Sequence, residues 1–233
     1  MRAWTYGEIK TKIESDLDLM GELFVTPSEM LGYVNEGIDQ AEAEIHKLGA
    51  EDNYFLTKAG IPLVEGQSEY SLPENIYGNK IRKIIYSKNT RVYPIKRFRG
   101  QEMFEEMALS LLNPAQTQDL KYVITNNSAQ TGPQIVFFPP AMETDPLAVT
   151  IWYIRNANRV QVDSDRIDIP EFTSFVIQYA KVRCYEKEMH PNLSTAVQIL
   201  QAERQLMVDT LSEMVPDDDN RILSDVSHYT EMV

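Results

Sequence analysis

The chain has 233 residues, enough for one large domain or two small ones, and its 43% hydrophobic and 24% charged residues are ordinary for a globular protein. Its 22 basic and 35 acidic residues leave a net charge of −13, which argues against a dedicated nucleic-acid grip, because that requires a basic balance. No apolar run is long enough to span a bilayer and the N-terminus lacks a signal-peptide stretch; Cys184 is the only cysteine, which rules out an internal disulfide and suits synthesis in a reducing cytoplasm.

The first predicted helix opens at Thr5-Tyr6-Gly7-Glu8, a capping box, and runs to about Asp16. A connector over Leu17–Val25, broken by Gly21, leads to a stronger start. There Thr26 is the cap, Pro27 takes the first helical position and Glu29 the third. Met30, Leu31, Val34, Ile38, Ala41 and Ile45 then recur at helical spacing, and Gly49 is read as the terminating glycine.

From Asn53 the periodicity changes to short apolar runs punctuated by Gly60, Gly66 and Pro73, read as hairpin strands. Ile81–Ser87 and Arg91–Ile95 read as a second pair joined by Lys88-Asn89-Thr90. Phe104, Met107, Ala108 and Leu111 predict a short helix near 101–112. Strands resume at Leu120–Thr125, Gln134–Phe138 and Leu147–Arg155, with turn-rich linkers at Asn126–Pro133 and Pro139–Pro146. Ile169-Pro170-Glu171-Phe172 starts a third long helix with a stripe of Phe172, Phe175, Val176, Tyr179, Val182 and Tyr185. After Pro191, Leu193, Ala196, Val197, Leu200, Leu206 and Leu211 carry a fourth to about Met214. The expected fold class is therefore α+β. Residues 1–50 and 168–214 form a helical bundle domain around an inserted antiparallel β-rich, sandwich- or barrel-like domain at 51–167, and 215–233 form an extended acidic tail.

Little along this path suggests catalysis or a cofactor. His46, His190 and His228 lie far apart, offer no HExxH-type zinc pattern and read as ordinary surface histidines. Cys184 shows no sign of activation and reads as a packed or surface thiol. No Gly-x-Gly and no Gly-Lys-Ser/Thr occurs, so the phosphate-cradling loops of nucleotide enzymes are missing. Asp163-x-Asp165 offers two carboxylates for calcium but lacks the glycine and distal glutamate of an EF-hand loop, and reads as a solvated turn. No metal, cofactor or catalytic residue is expected.

One charge pattern stands out. Between Lys80 and Arg99 there are eight basic residues (Lys80, Arg82, Lys83, Lys88, Arg91, Lys96, Arg97, Arg99) and no acidic one, with Tyr86, Tyr93 and Phe98 among them. Basic residues interleaved with aromatics can bind nucleic acid. The rest of the chain holds 14 basic against 35 acidic residues, so a contact with an acidic subunit or partner is the second reading. A plainly solvated hairpin face is the third.

The order of four motifs resembles the head-to-tail adaptor proteins of short-tailed bacteriophages. These are the Thr26–Asn35 helix opening, Gly66–Pro73, Gly132-Pro133-Gln134-Ile135-Val136-Phe137-Phe138-Pro139-Pro140, and Ile169–Tyr179; the resemblance extends from about residue 3 to 214. It implies a virion structural protein and not an enzyme. Such adaptors form a ring, commonly of twelve subunits, that docks on the portal in the virion neck. The ring is a platform for a tail nozzle, tube or fibre protein, and genomic DNA passes through its channel without specific binding; no membrane is involved. By position the resemblance also implies that the tail, with Arg221, Ile222, Leu223, Val226 and Tyr229, anchors on the portal. Another minor virion or tail-completion protein, or an enzyme with an unrecognised carboxylate site, are the alternatives.

Overall fold

The computed structural model describes residues 3–17, 24–48, 54–88, 91–98, 120–128, 132–141 and 143–213. The fold is α+β and divides into two compact units, Met1–Asp52 with Ala157–Val233 and Asn53–Asn156. The expected helix near 101–112, the turn at Asn89-Thr90, Gly49 and the tail from 215 lie outside the described residues.

The helical unit contains α1 (Tyr6–Asp16), α2 (Pro27–Leu48), α3 (Thr173–Glu188) and α4 (Leu193–Glu213). The predicted capping box forms at the start of α1, and the Thr26 cap of α2 proves to be a second one. The Thr5 hydroxyl accepts from Glu8 N at 3.3 Å while the Glu8 carboxylate accepts from Thr5 N at 3.0 Å, and Thr26 with Glu29 repeats the arrangement. Val34, Ile38 and Ala41 are fully buried along α2. Where α2 crosses α3, a Cβ on Gly37 would meet Val176 backbone atoms at 3.3 Å, so the missing side chain permits the close approach. α3 enters through a single 3-10 turn, Pro170–Phe172, and touches α1, α2 and α4. It therefore buries Ile177, Gln178, Ala180 and Cys184 besides the predicted stripe, while Tyr179 and Tyr185 stay half-buried. Gln178 donates from Nε2 to Ala196 O at 3.0 Å, which satisfies its buried amide and ties α3 to α4.

Two expectations change here. His46 is not a surface histidine: it is buried on α2 with Nε2 3.5 Å from Oε1 of Glu42, one turn earlier. His190 is half-buried and stacks on Tyr185 just after α3, its Nδ1 accepting from Asn192 N. In α4 the inward residue is Met207, not Leu206, which stands 61% exposed. A one-residue advance turns a helix by about 100°, so the apolar run alone could not choose between them.

Residues 157–167, grouped by sequence with the β-rich region, hydrogen-bond to the helical elements. Tyr6 N donates to Asp165 O and Gly7 N to Asp163 O, and Thr5 and Arg166 form a bridge. From inside α2, Asn35 presents its amide edge to Val160, with both bonds 2.9 Å long. The Asp165 carboxylate accepts from Gln161 N and Val162 N, which lowers its pKa and makes Asp163–Asp165 the expected turn.

The β unit holds β1 (Leu56–Leu63), β2 (Glu69–Ser71), β3 (Ile76–Lys88), β4 (Arg91–Pro94), β5 (Lys96–Arg97), β6 (Lys121–Ser128), β7 (Gly132–Phe138) and β8 (Asp145–Arg155). They form two four-stranded sheets, ordered β1-β8-β3-β4 and β2-β7-β6-β5, antiparallel except for β5 with β6. Alternate residues of both sheets, among them Ile84, Tyr86, Val149 and Ile151 from one and Tyr70, Ile135 and Phe137 from the other, share one core. Each such side chain contributes about 1.5–3 kcal/mol on burial.

β3 and β4 pair as the sequence predicts. β1 and β2 do not form a hairpin. β1 pairs with β8 and β2 with β7, because the link between them spends its hydrogen bonds elsewhere. Gly66, at φ +76°, donates its N–H to Ala141 O, and the Tyr70 hydroxyl accepts from Val64 N while donating to Gln67 O. Gly66–Pro73 and Gly132–Pro140, which start 66 positions apart in the sequence, thus lie side by side, with Phe137 N donating to Ser68 O at 2.8 Å.

Candidate interaction surface

Among the described residues, no group of three or more His, Cys, Asp or Glu could hold a metal, and no helix is long and apolar enough to cross a membrane. Burial raises the Cys184 thiol to about 11, so it is packed rather than activated.

The charge is divided between the two units. Residues 53–156 hold 11 basic and 9 acidic residues, net +2, whereas the remainder hold 11 basic and 26 acidic residues, net −15. In the helical unit most cations already have partners. Lys12 and Lys181 both donate to Asp16, Arg159 forks onto Asp39, Arg183 joins Glu36 and Glu186, Lys187 reaches Glu29, and Arg204 reaches Glu44. The surplus of that unit is acidic. Hydrogen bonds from Lys187, then from Thr26, hold Glu29 near a pKa of about 2, and Lys12 and Lys181 lower that of Asp16 in the same way.

These depressed values set an acid limit. Glu29 contributes stability that is complete above its ordinary value of 4.5 and is lost as pH falls toward about 2. Circular dichroism followed down through this window is expected to show Glu29→Gln already lacking that contribution at neutral pH and losing correspondingly less on acidification. Identical acid curves for variant and wild type would contradict the linkage.

The predicted basic stretch occupies β3, β4 and β5. β4 and β5 are the edge strands of the two sheets on the same side of the sandwich, and the chain passes from one to the other at buried Ile95. Arg91, Lys96 and Arg97 are exposed along this edge. In β3 the register slips between Ile81 and Lys83, and the extra residue leaves Arg82 and Lys83 exposed in succession. Lys80 lies over the Tyr77 ring at 4.8 Å. Among the described residues, Lys83, Arg91, Lys96 and Arg97 have no acidic partner. The aromatics of the stretch are not available for base stacking: Tyr86 and Phe98 are buried, and Tyr93 is packed half-buried beside Tyr86. What reaches solvent is charge, which also discourages edge-to-edge strand pairing. Arg99, Arg221, Ile222, Leu223, Val226 and Tyr229 lie outside the described residues.

The sequence did not single out a second surface. On the outer face of the first sheet, pairing places Lys58, Trp152 and Lys83 side by side across β1, β8 and β3, with the Lys58 ammonium 5.6 Å from the Trp152 ring centroid. Strand alternation was the only signal available, and it required knowing that β8 lies between β1 and β3.

The described residues thus form an α+β fold whose charge is divided between its two units, with exposed basic groups along a sheet edge and on the outer face of the first sheet. The model of the SU10 adaptor protein family matches residues 4–227, and the chain belongs to that family. It is a bacteriophage head-to-tail adaptor, a structural virion component of tail assembly that interacts with portal and tail components; the family is not one of enzymes. No individual curated protein matches the sequence.

Proposed function

We propose that the chain assembles into a closed ring of twelve subunits in the virion neck. The ring docks on the portal, presents the platform for a tail nozzle, tube or fibre protein, and leaves a channel through which genomic DNA passes without specific binding. The observation that carries this reading is the family match over nearly the whole chain. The acidic surplus supports it, because like charge repels phosphate and lets duplex slide past. Synthesis in the host cytoplasm fits a single cysteine.

In this reading the subunit contacts divide by element. The basic stretch, Lys80, Arg82, Lys83, Arg91, Lys96, Arg97 and Arg99, meets an acidic neighbouring subunit or partner. The tail, with Arg221, Ile222, Leu223, Val226 and Tyr229, anchors on the portal.

Reversing Arg91, Lys96 and Arg97 to Glu is expected to weaken assembly, most clearly at low salt where screening is small. Sedimentation at two salt concentrations checks this. Tight, salt-sensitive binding of duplex DNA by the wild-type protein would overturn the partner reading in favour of a nucleic-acid grip.

A further inference from the structure

We infer that the outer face of the first sheet receives helix α4 of a second copy of this chain, so that neighbouring subunits join head to tail. The inference rests on the ring reading above and names the two surfaces that close it.

The sheet side is basic and partly apolar. Across it, Trp152 lies between Lys58 and Lys83, and nearer the β4 edge Val92, opposite Ser87, is 60% exposed. No acidic residue occupies the outward register positions of β1, β8, β3 and β4 among the described residues. Exposed Lys58 and Lys83 therefore set the sign of the face.

The helix side complements it. Residues 195, 199, 202, 206, 209 and 213 of α4 alternate in steps of four and three, the spacing of a seam that packs against a partner. All six are exposed. The first part of the seam is apolar, with Ile199 at 47% and Leu206 at 61% exposure, and its end is acidic, with Asp209 and Glu213. α3 and α2 cover the opposite side of the helix, where Ala196 and Met207 are buried.

An apolar and acidic helix face fits an apolar and basic sheet face, which is the ordinary way a helix covers a sheet. The charges decide the occupant. The basic face belongs to a unit of net +2 and the acidic seam to one of net −15, so each copy carries both halves of a contact that it cannot make with a like surface. A contact between two different faces is heterologous and generates a ring when its rotation closes.

The test uses two full-length variants. Lys58→Glu with Lys83→Glu makes the sheet face acidic; Asp209→Lys with Glu213→Lys makes the seam basic. Each alone sets like charges together and is expected to weaken self-association at least tenfold, measured by sedimentation velocity. An equimolar mixture restores opposite charges at every junction of an alternating ring and is expected to regain the wild-type mass, which also shows that both variants are folded. Wild-type association by each variant alone, or no recovery in the mixture, overturns the pairing while leaving the ring reading in place. A wild-type protein that stays monomeric throughout overturns both.

Discussion

Deleting everything after Pro216 is expected to leave folding intact and to abolish docking on the portal. The segment 215–233 carries Asp217, Asp218, Asp219, Asp225 and Glu231 against Arg221, a net of −4, with only a few apolar residues such as Ile222, Leu223, Val226 and Tyr229. Burying each apolar side chain yields about 1.5–3 kcal/mol. Ordering the backbone costs about 1–2 kcal/mol per residue, so one tail alone binds weakly. A ring presents many tails at once, and linked sites raise avidity by roughly 10²–10⁴ without any new contact. The truncated protein should therefore melt like wild type and fail to co-sediment with portal rings. Undiminished docking would move the anchor to the helical or β-rich part.

The second large effect is expected in the helical core. Ile38 has no exposed surface and Phe175 is 5% exposed. Replacing either with Asp strands a charge among apolar side chains, where an uncompensated buried charge costs roughly 3–5 kcal/mol. That approaches the whole stability of a domain, about 5–15 kcal/mol. Loss of helical circular dichroism is expected in both variants, with recovery in Ile38→Val, which keeps the apolar character. Wild-type-like melting of the Asp variants would contradict the packing of α2 with α3.

The helices were legible because their signals are local. Thr26, Pro27 and Glu29 sit within one turn, and the same residues form the box seen at the start of α2. Phase was harder to read where the apolar run had a neighbour on each side, as at Leu206 and Met207. His46 was missed for a related reason: at positions 42 and 46 a carboxylate and an imidazole share one helix face, and burial made them a pair rather than two surface groups. The sheets were legible as strands but not as partners. β1 finds β8 across some ninety residues, and nothing in Leu56–Leu63 names Asp145–Arg155. The basic stretch could be seen because it is continuous in sequence. The Lys58–Trp152–Lys83 row could not, because three strands must first be brought together. Asn35 fell inside a recognisable motif, yet its bonds to Val160 appear only once the chain has returned from the β unit.

The central claim is a ring that docks on the portal, and the mass of the assembled particle tests it most directly. Light scattering on size-separated protein, alone and mixed with portal rings, is the measurement. The expected result is a portal complex heavier than the portal by twelve copies of a 26.8 kDa subunit. A monomer mass alone together with an unchanged portal mass in the mixture would contradict the account.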